Sequence, residues 1–133
     1  MDKVYLSGGM RSDWQDRVME AEPNAEYFDP RSHGLKNPFD YVAWDMRHVG
    51  MSTIVFAYVE AENPTALGLA AEVAAGSVEG KLIILVDEKS ATDEKFARYF
   101  TFIRVLAHEV YDNLEDGIVS LKMNVKLGEM MPL

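Results

Sequence analysis

One carboxylate is set apart by its surroundings. Glu72 stands in Leu67-Gly68-Leu69-Ala70-Ala71-Glu72-Val73-Ala74-Ala75-Gly76, and it is the only charged residue between Asn63 and Val78. At helical spacing Thr65, Gly68, Glu72 and Gly76 share one face, while Leu67, Ala71, Ala74 and Val78 share another. Gly68, one turn before the carboxylate, removes side-chain bulk from the spot a ligand would use. A helix interior seldom keeps a lone carboxylate on an Ala/Gly surface without a partner or a task. An exposed or salt-bridged glutamate is the competing reading of the same residues.

Other candidates surround it. Ser7-Gly8-Gly9-Met10-Arg11 forms a glycine turn opening a helix, whose N–H groups suit an anion or a sugar hydroxyl, with Arg11 adding charge. It is neither a phosphate loop ending in Gly-Lys-Ser/Thr nor the dinucleotide glycine fingerprint, and a plain tight turn explains the glycines as well. Tyr5 lies on the strand face opposite Val4 and Leu6, placed either to reach the strand end with its hydroxyl or to pack. Tyr41, Trp44, Asp45 and His48 form a polar-aromatic sector that borders a planar ligand or faces solvent. His33, His48 and His108 lack paired metal-ligand spacing, so no metal site is expected, and no cofactor is implied. The absence of a Gly-x-Ser-x-Gly elbow argues against a serine hydrolase.

These residues need elements to hold them. Strands are expected at Lys3 to Ser7, Glu26 to Phe28, Thr53 to Tyr58, Leu82 to Val86 and Glu109 to Tyr111. Helices are expected at Ser12 to Ala21, Pro38 to Val49, Thr65 to Val78, Asp93 to His108 and Leu114 to Met123. In the second, Phe39, Val42, Ala43, Met46 and Val49 recur at amphipathic spacing. In the fourth, Phe96, Phe100, Phe102, Ile103 and Leu106 are available for burial. Alternating strands and helices predict an α/β fold: a doubly wound five-stranded parallel sheet, flavodoxin-like order 2-1-3-4-5, with helices on both faces. Ligands of such sheets bind beyond the strands' carboxyl ends where the order reverses, here between the first and third strands. That rule gathers Ser7 to Arg11, Asp29-Pro30-Arg31, and Tyr58 to Thr65 including Asn63.

The chain has 133 residues, 48% of them hydrophobic, which fits one domain over residues 1–133. A formal net charge of −9 disfavours nucleic acid polymers as partners but leaves small ligands open. No cysteine is present, excluding disulfides and a thiolate nucleophile and matching a reducing, cytoplasmic compartment. The start lacks a signal peptide's apolar region, and no run approaches the roughly twenty apolar residues a membrane span needs.

Three stretches together resemble the nucleoside 2-deoxyribosyltransferase family and the related nucleotide N-glycosidases. They are Val4-Tyr5-Leu6-Ser7-Gly8-Gly9-Met10; Asp45 in the helix before Ile54-Val55-Phe56-Ala57-Tyr58; and Asn63-Pro64-Thr65-Ala66-Leu67-Gly68-Leu69-Ala70-Ala71-Glu72, leading through Gly80-Lys81 into Leu82 to Val86. The resemblance implies that Glu72 attacks the anomeric carbon of a nucleoside or nucleotide, that Tyr5 orients it, and that Asp45 serves as acid–base residue for the departing base. Ser7, Gly8, Gly9, Met10, Arg11, Asp29, Asn63 and Gly68 are expected around the substrate, and the resemblance implies a homo-oligomer. Two positions depart from the pattern. Ala66 stands where some transferases carry an aspartate that holds the base, which brings hydrolysis close to transfer; Ser52-Thr53 replaces an aspartate before the third strand. Arg11 and Arg17, flanking the glycine turn, are expected to receive any 5′-phosphate. The apolar ending Met123 to Leu133 is expected to pack on a partner or to fray.

Overall fold

In the computed structural model, residues 1–130 are described. The five strands are β1 Lys3–Gly8, β2 Glu26–Phe28, β3 Ile54–Val59, β4 Leu82–Asp87 and β5 Glu109–Tyr111. They pair in parallel in the order β2-β1-β3-β4-β5, as expected. The helices are α1 Trp14–Ala21, α2 Pro38–Met51, α3 Leu67–Val78, α4 Glu94–Leu106 and α5 Leu114–Met130.

The period-two alternation of strand side chains divides the core between the two sheet faces. Val4, Leu6, Phe56, Tyr58, Ile84 and Val86 meet Trp14 and Val18 of α1 and Ile118, Leu121 and Val125 of α5. Tyr5, Val55, Ala57, Val59, Ile83 and Leu85 meet α2, α3 and α4 through Val49, Leu69, Val73 and Phe100. Burial on both faces explains why β3 is an unbroken apolar run. Two glycines set spacing. Gly117 has no room for a Cβ against Val86, and a Cβ on Gly8 would lie 2.6 Å from the Tyr58 carbonyl oxygen of the neighbouring strand.

Three packing expectations change. The Phe39, Val42, Ala43 stripe of α2 faces outward, with Phe39 88% exposed, because the helix packs through Trp44, His48 and Val49 instead. On α4, Phe102 is 72% exposed beside Tyr99 and Val105, leaving Phe100 as the buried anchor. The last helix runs past Met123 because Val125 continues the buried spacing of Ile118 and Leu121. Helix starts also shift: α1 begins at Trp14 and α3 at Leu67, the latter after Ala66 takes a left-handed φ of 52°. Of the tail expected to pack or fray, Met131-Pro132-Leu133 lies outside the described residues.

Candidate active site

β1 carries Tyr5 and Ser7 two residues apart, so both side chains project toward the α2–α3 side. The Tyr5 hydroxyl donates to Glu72 Oε2 at 2.7 Å, and Ser7 Oγ donates to Glu72 Oε1 at 2.6 Å. Glu72 is 8% exposed, so the sequence alternative of a solvated glutamate does not hold. What brings it there is α3's approach to the sheet. A Cβ on Gly76 would meet Val55 Cγ2 at 3.0 Å and Ile83 Cδ1 at 3.1 Å, so glycine lets the helix sit close one turn beyond the carboxylate. Gly76 is therefore a packing residue. Gly68, with nothing within 4 Å of a Cβ, is the open one.

Burial pushes the Glu72 carboxyl up to about 7; the Ser7 and Tyr5 hydrogen bonds pull in the opposite direction, and the Asp45 charge adds to the rise. Tyr5 is held far above the ordinary phenol range by burial and by Glu72, with Asp45 contributing, so it remains a donor. Asp45, on α2, is also raised by burial, partly offset by His33 and Tyr5. His33 Nε2 stands 3.5 Å from Asp45 Oδ1. An aromatic group adjoins this pair: Trp44 and His48 stack at 3.7 Å, with Phe28 edge-on to His48 and His33 edge-on to Trp44.

The glycine turn is pinned from α1. Trp14 Nε1 and Gln15 Nε2 both donate to the Gly9 carbonyl, at 2.9 and 3.1 Å. Met10 and Arg11 are exposed, and Arg11 Nη1 lies over Gly9, 2.5 Å from where a Cβ would stand. Glu60 at the end of β3 accepts from Ser12 Oγ at 2.9 Å.

The remaining expected residues have local duties. The Asp29 carboxylate closes on Arg31, taking its backbone N–H at 2.9 Å and its guanidinium at 2.7 Å. Asn63 Oδ1 accepts the Ala66 N–H at 2.8 Å and so sets the entry to α3. Arg17 pairs with Glu115 of α5, which corrects its assignment to the glycine turn. His33 was outside the expected site; it comes from a loop with no periodic signal. Ser7, expected around the substrate, holds Glu72 instead; its two-residue spacing from Tyr5 is the signal that puts both on one strand face. Among the described residues no group of three or more metal-ligating side chains forms, and no helix is long and apolar enough to cross a membrane.

No protein-family model matches the chain, and no curated protein matches it in sequence. Solved structures do. A conserved protein of Enterococcus faecalis V583 superposes with a TM-score of 0.71 at 15% identity, covering 93% of this chain and 99% of the other. A 2-deoxyribosyltransferase of the psychrotolerant Bacillus psychrosaccharolyticus gives 0.62 at 20% identity, covering 86% and 88%. A CMP N-glycosidase of Clostridium botulinum gives 0.60 at 15% identity, covering 91% and 98%. The chain shares their fold. The fold expected from sequence is thus one shared with a 2-deoxyribosyltransferase and a CMP N-glycosidase.

Proposed function

We propose that the protein cleaves the N-glycosidic bond of a (deoxy)nucleoside through a covalent glycosyl–Glu72 intermediate and passes the sugar to a second base. The observation that carries this reading is the buried Glu72 carboxylate held at both oxygens by hydroxyl donors. Two fixed donors aim a carboxylate while favouring its ionised form. Attack at the anomeric carbon forms the carbon–oxygen bond as the carbon–nitrogen bond breaks, and the departing base takes its electron pair and a proton. Asp45 supplies that proton. Burial raises both carboxyls, and the Asp45 charge adds to the rise at Glu72. The working arrangement is Glu72 ionised and Asp45 protonated. The Trp44–His48 stack offers a planar surface beside Asp45 for the base.

Around this centre we assign Ser7, Gly8, Gly9, Met10, Arg11, Asn63 and Gly68 to the substrate cavity, Asn63 acting by holding the Ala66 turn, with Asp29 at its border through Arg31. A nucleoside 5′-monophosphate N-glycosidase is the second reading. It is favoured by exposed Arg11 over the glycine turn and by the likeness in fold to a CMP N-glycosidase. Ala66, which offers no carboxylate to an acceptor base, leans the same way. We further propose a cytoplasmic location, in keeping with the cysteine-free sequence, and a homo-oligomer, because Leu67, Tyr99, Phe102 and Val105 of α3 and α4 and Phe39 of α2 are exposed on one side of the sheet.

The deciding experiment incubates the protein with a deoxynucleoside and a different free base. The swapped nucleoside is the expected product. Free sugar alone would move the assignment to hydrolysis, and no cleavage of either nucleoside or nucleotide would overturn it.

A further inference from the structure

His33 reaches Asp45 from a loop, and its other nitrogen is already engaged. The Leu35 backbone N–H donates to His33 Nδ1 at 2.8 Å. A ring nitrogen that accepts an N–H bond carries no proton, so the neutral imidazole bears its hydrogen on Nε2. That nitrogen faces Asp45 Oδ1 at 3.5 Å. Oδ1 is buried and has no hydrogen-bond partner among the described residues, a costly state for a carboxylate oxygen. The His33 and Trp44 rings are packed edge-to-face with centroids 4.9 Å apart, which limits the swing of His33. The separation exceeds that of a formed N–H···O bond, as catalytic contacts commonly do before substrate closes the site.

We propose that His33 is the positioning residue of Asp45: its Nε2–H holds Oδ1 and so leaves the carboxyl proton on Oδ2, from which it passes to the departing base. The order Leu35 N–H, Nδ1, Nε2–H, Oδ1 fixes which oxygen is the acid. As the glycosidic bond breaks, its electron pair goes to the base nitrogen, that nitrogen takes the proton from Oδ2, and Asp45 is left as a carboxylate. The other groups facing Asp45 are Tyr5 from β1, Glu72 from α3 and His48 on its own helix. None of these supplies an N–H to Oδ1.

This inference rests on the glycosyl-transfer reading, and the test separates the two. His33→Leu and His33→Gln are compared with the wild type on a nucleoside and on the same sugar carrying a nitrophenolate, a leaving group that departs without a proton. His33→Leu is expected to lose about tenfold or more in kcat on the nucleoside, within the range of lost general-acid help, and less than about twofold on the nitrophenolate. His33→Gln, which keeps an N–H near the Nε2 position, is expected to recover most of the loss. Equal losses on both substrates would mean a merely structural role and overturn the proposal. On the wild type, nitrogen-15 NMR of the ring is expected to show Nδ1 bare and Nε2 protonated. The reverse tautomer overturns the proposal whatever the activity, whereas failure to cleave either substrate overturns the glycosyl-transfer reading and leaves the ring result to decide His33.

Discussion

Replacing Glu72 by glutamine removes a buried charge while keeping the side chain's shape. Burial raises the Glu72 carboxyl from 4.5 to about 7 in the folded protein. The folded state therefore binds more protons than the unfolded chain between those values, and wild-type stability falls as pH rises through that window. At about 1.4 kcal/mol per pH unit, the gap of about 2.5 is worth about 3 kcal/mol of stability, fully present below pH 4.5 and lost above pH 7. Glutamine resembles the protonated carboxyl and escapes this loss. Glu72→Gln is thus expected to match the wild type at pH 4.5 and to exceed it by about 3 kcal/mol at pH 8, a rise in Tm of about 10 °C for a domain of this size. Turnover should fall at least about 10³-fold, as on removal of a nucleophile. Thermal denaturation of both proteins from pH 4.5 to 8.5 measures it. A Tm difference that does not grow with pH would mean that Glu72 is not a desolvated carboxylate.

Tyr5→Phe deletes a donor to the ionised form of Glu72. Such bonds are worth about 1.5–3 kcal/mol, so the acid limb of kcat/KM should move up by about one to two pH units, read from a pH–rate profile. That limb should follow the ionisation of Glu72, raised by burial to about 7, and Asp45→Asn, which removes the proton donor, should cut nucleoside turnover by about 10²-fold or more in steady-state kinetics. Arg11→Gln should leave nucleoside cleavage within about twofold and weaken any 5′-monophosphate substrate by about tenfold or more, since a guanidinium–phosphate bond is charge-assisted; steady-state kinetics on both substrates checks it. Sedimentation should show an oligomer that Phe102→Glu or Leu67→Glu shifts toward monomer, because a charge on a buried apolar contact is costly.

Much of this arrangement was legible in sequence because its elements follow simple periods. The β3 and β4 runs are buried on both faces, and their apolar continuity announced a parallel sheet. Glu72 was visible as the one charge in an Ala/Gly helix, and Tyr5 as the residue on the opposite strand face from Val4 and Leu6. Periodicity failed where a helix turns a polar-aromatic side inward. The α2 stripe from Phe39 has the spacing of a core face, yet Phe39, Val42 and Ala43 point out, while Trp44, Asp45 and His48 are half-buried and Val49 alone of the stripe is fully buried. His33 and the Asp29–Arg31 clamp belong to an irregular loop whose contacts are long-range, which no local pattern encodes. Arg17 looked like a phosphate ligand by its nearness to the glycines, but α1 carries it toward Glu115.

In the proposed reaction Glu72 becomes covalently attached to the sugar. Incubating the protein with a nucleoside, quenching in acid and analysing peptides by mass spectrometry tests it directly. A sugar adduct on Glu72, absent from Glu72→Gln, is the predicted result. Cleavage of the nucleoside with no adduct on Glu72, and at an equal rate by Glu72→Gln, would exclude Glu72 as the nucleophile.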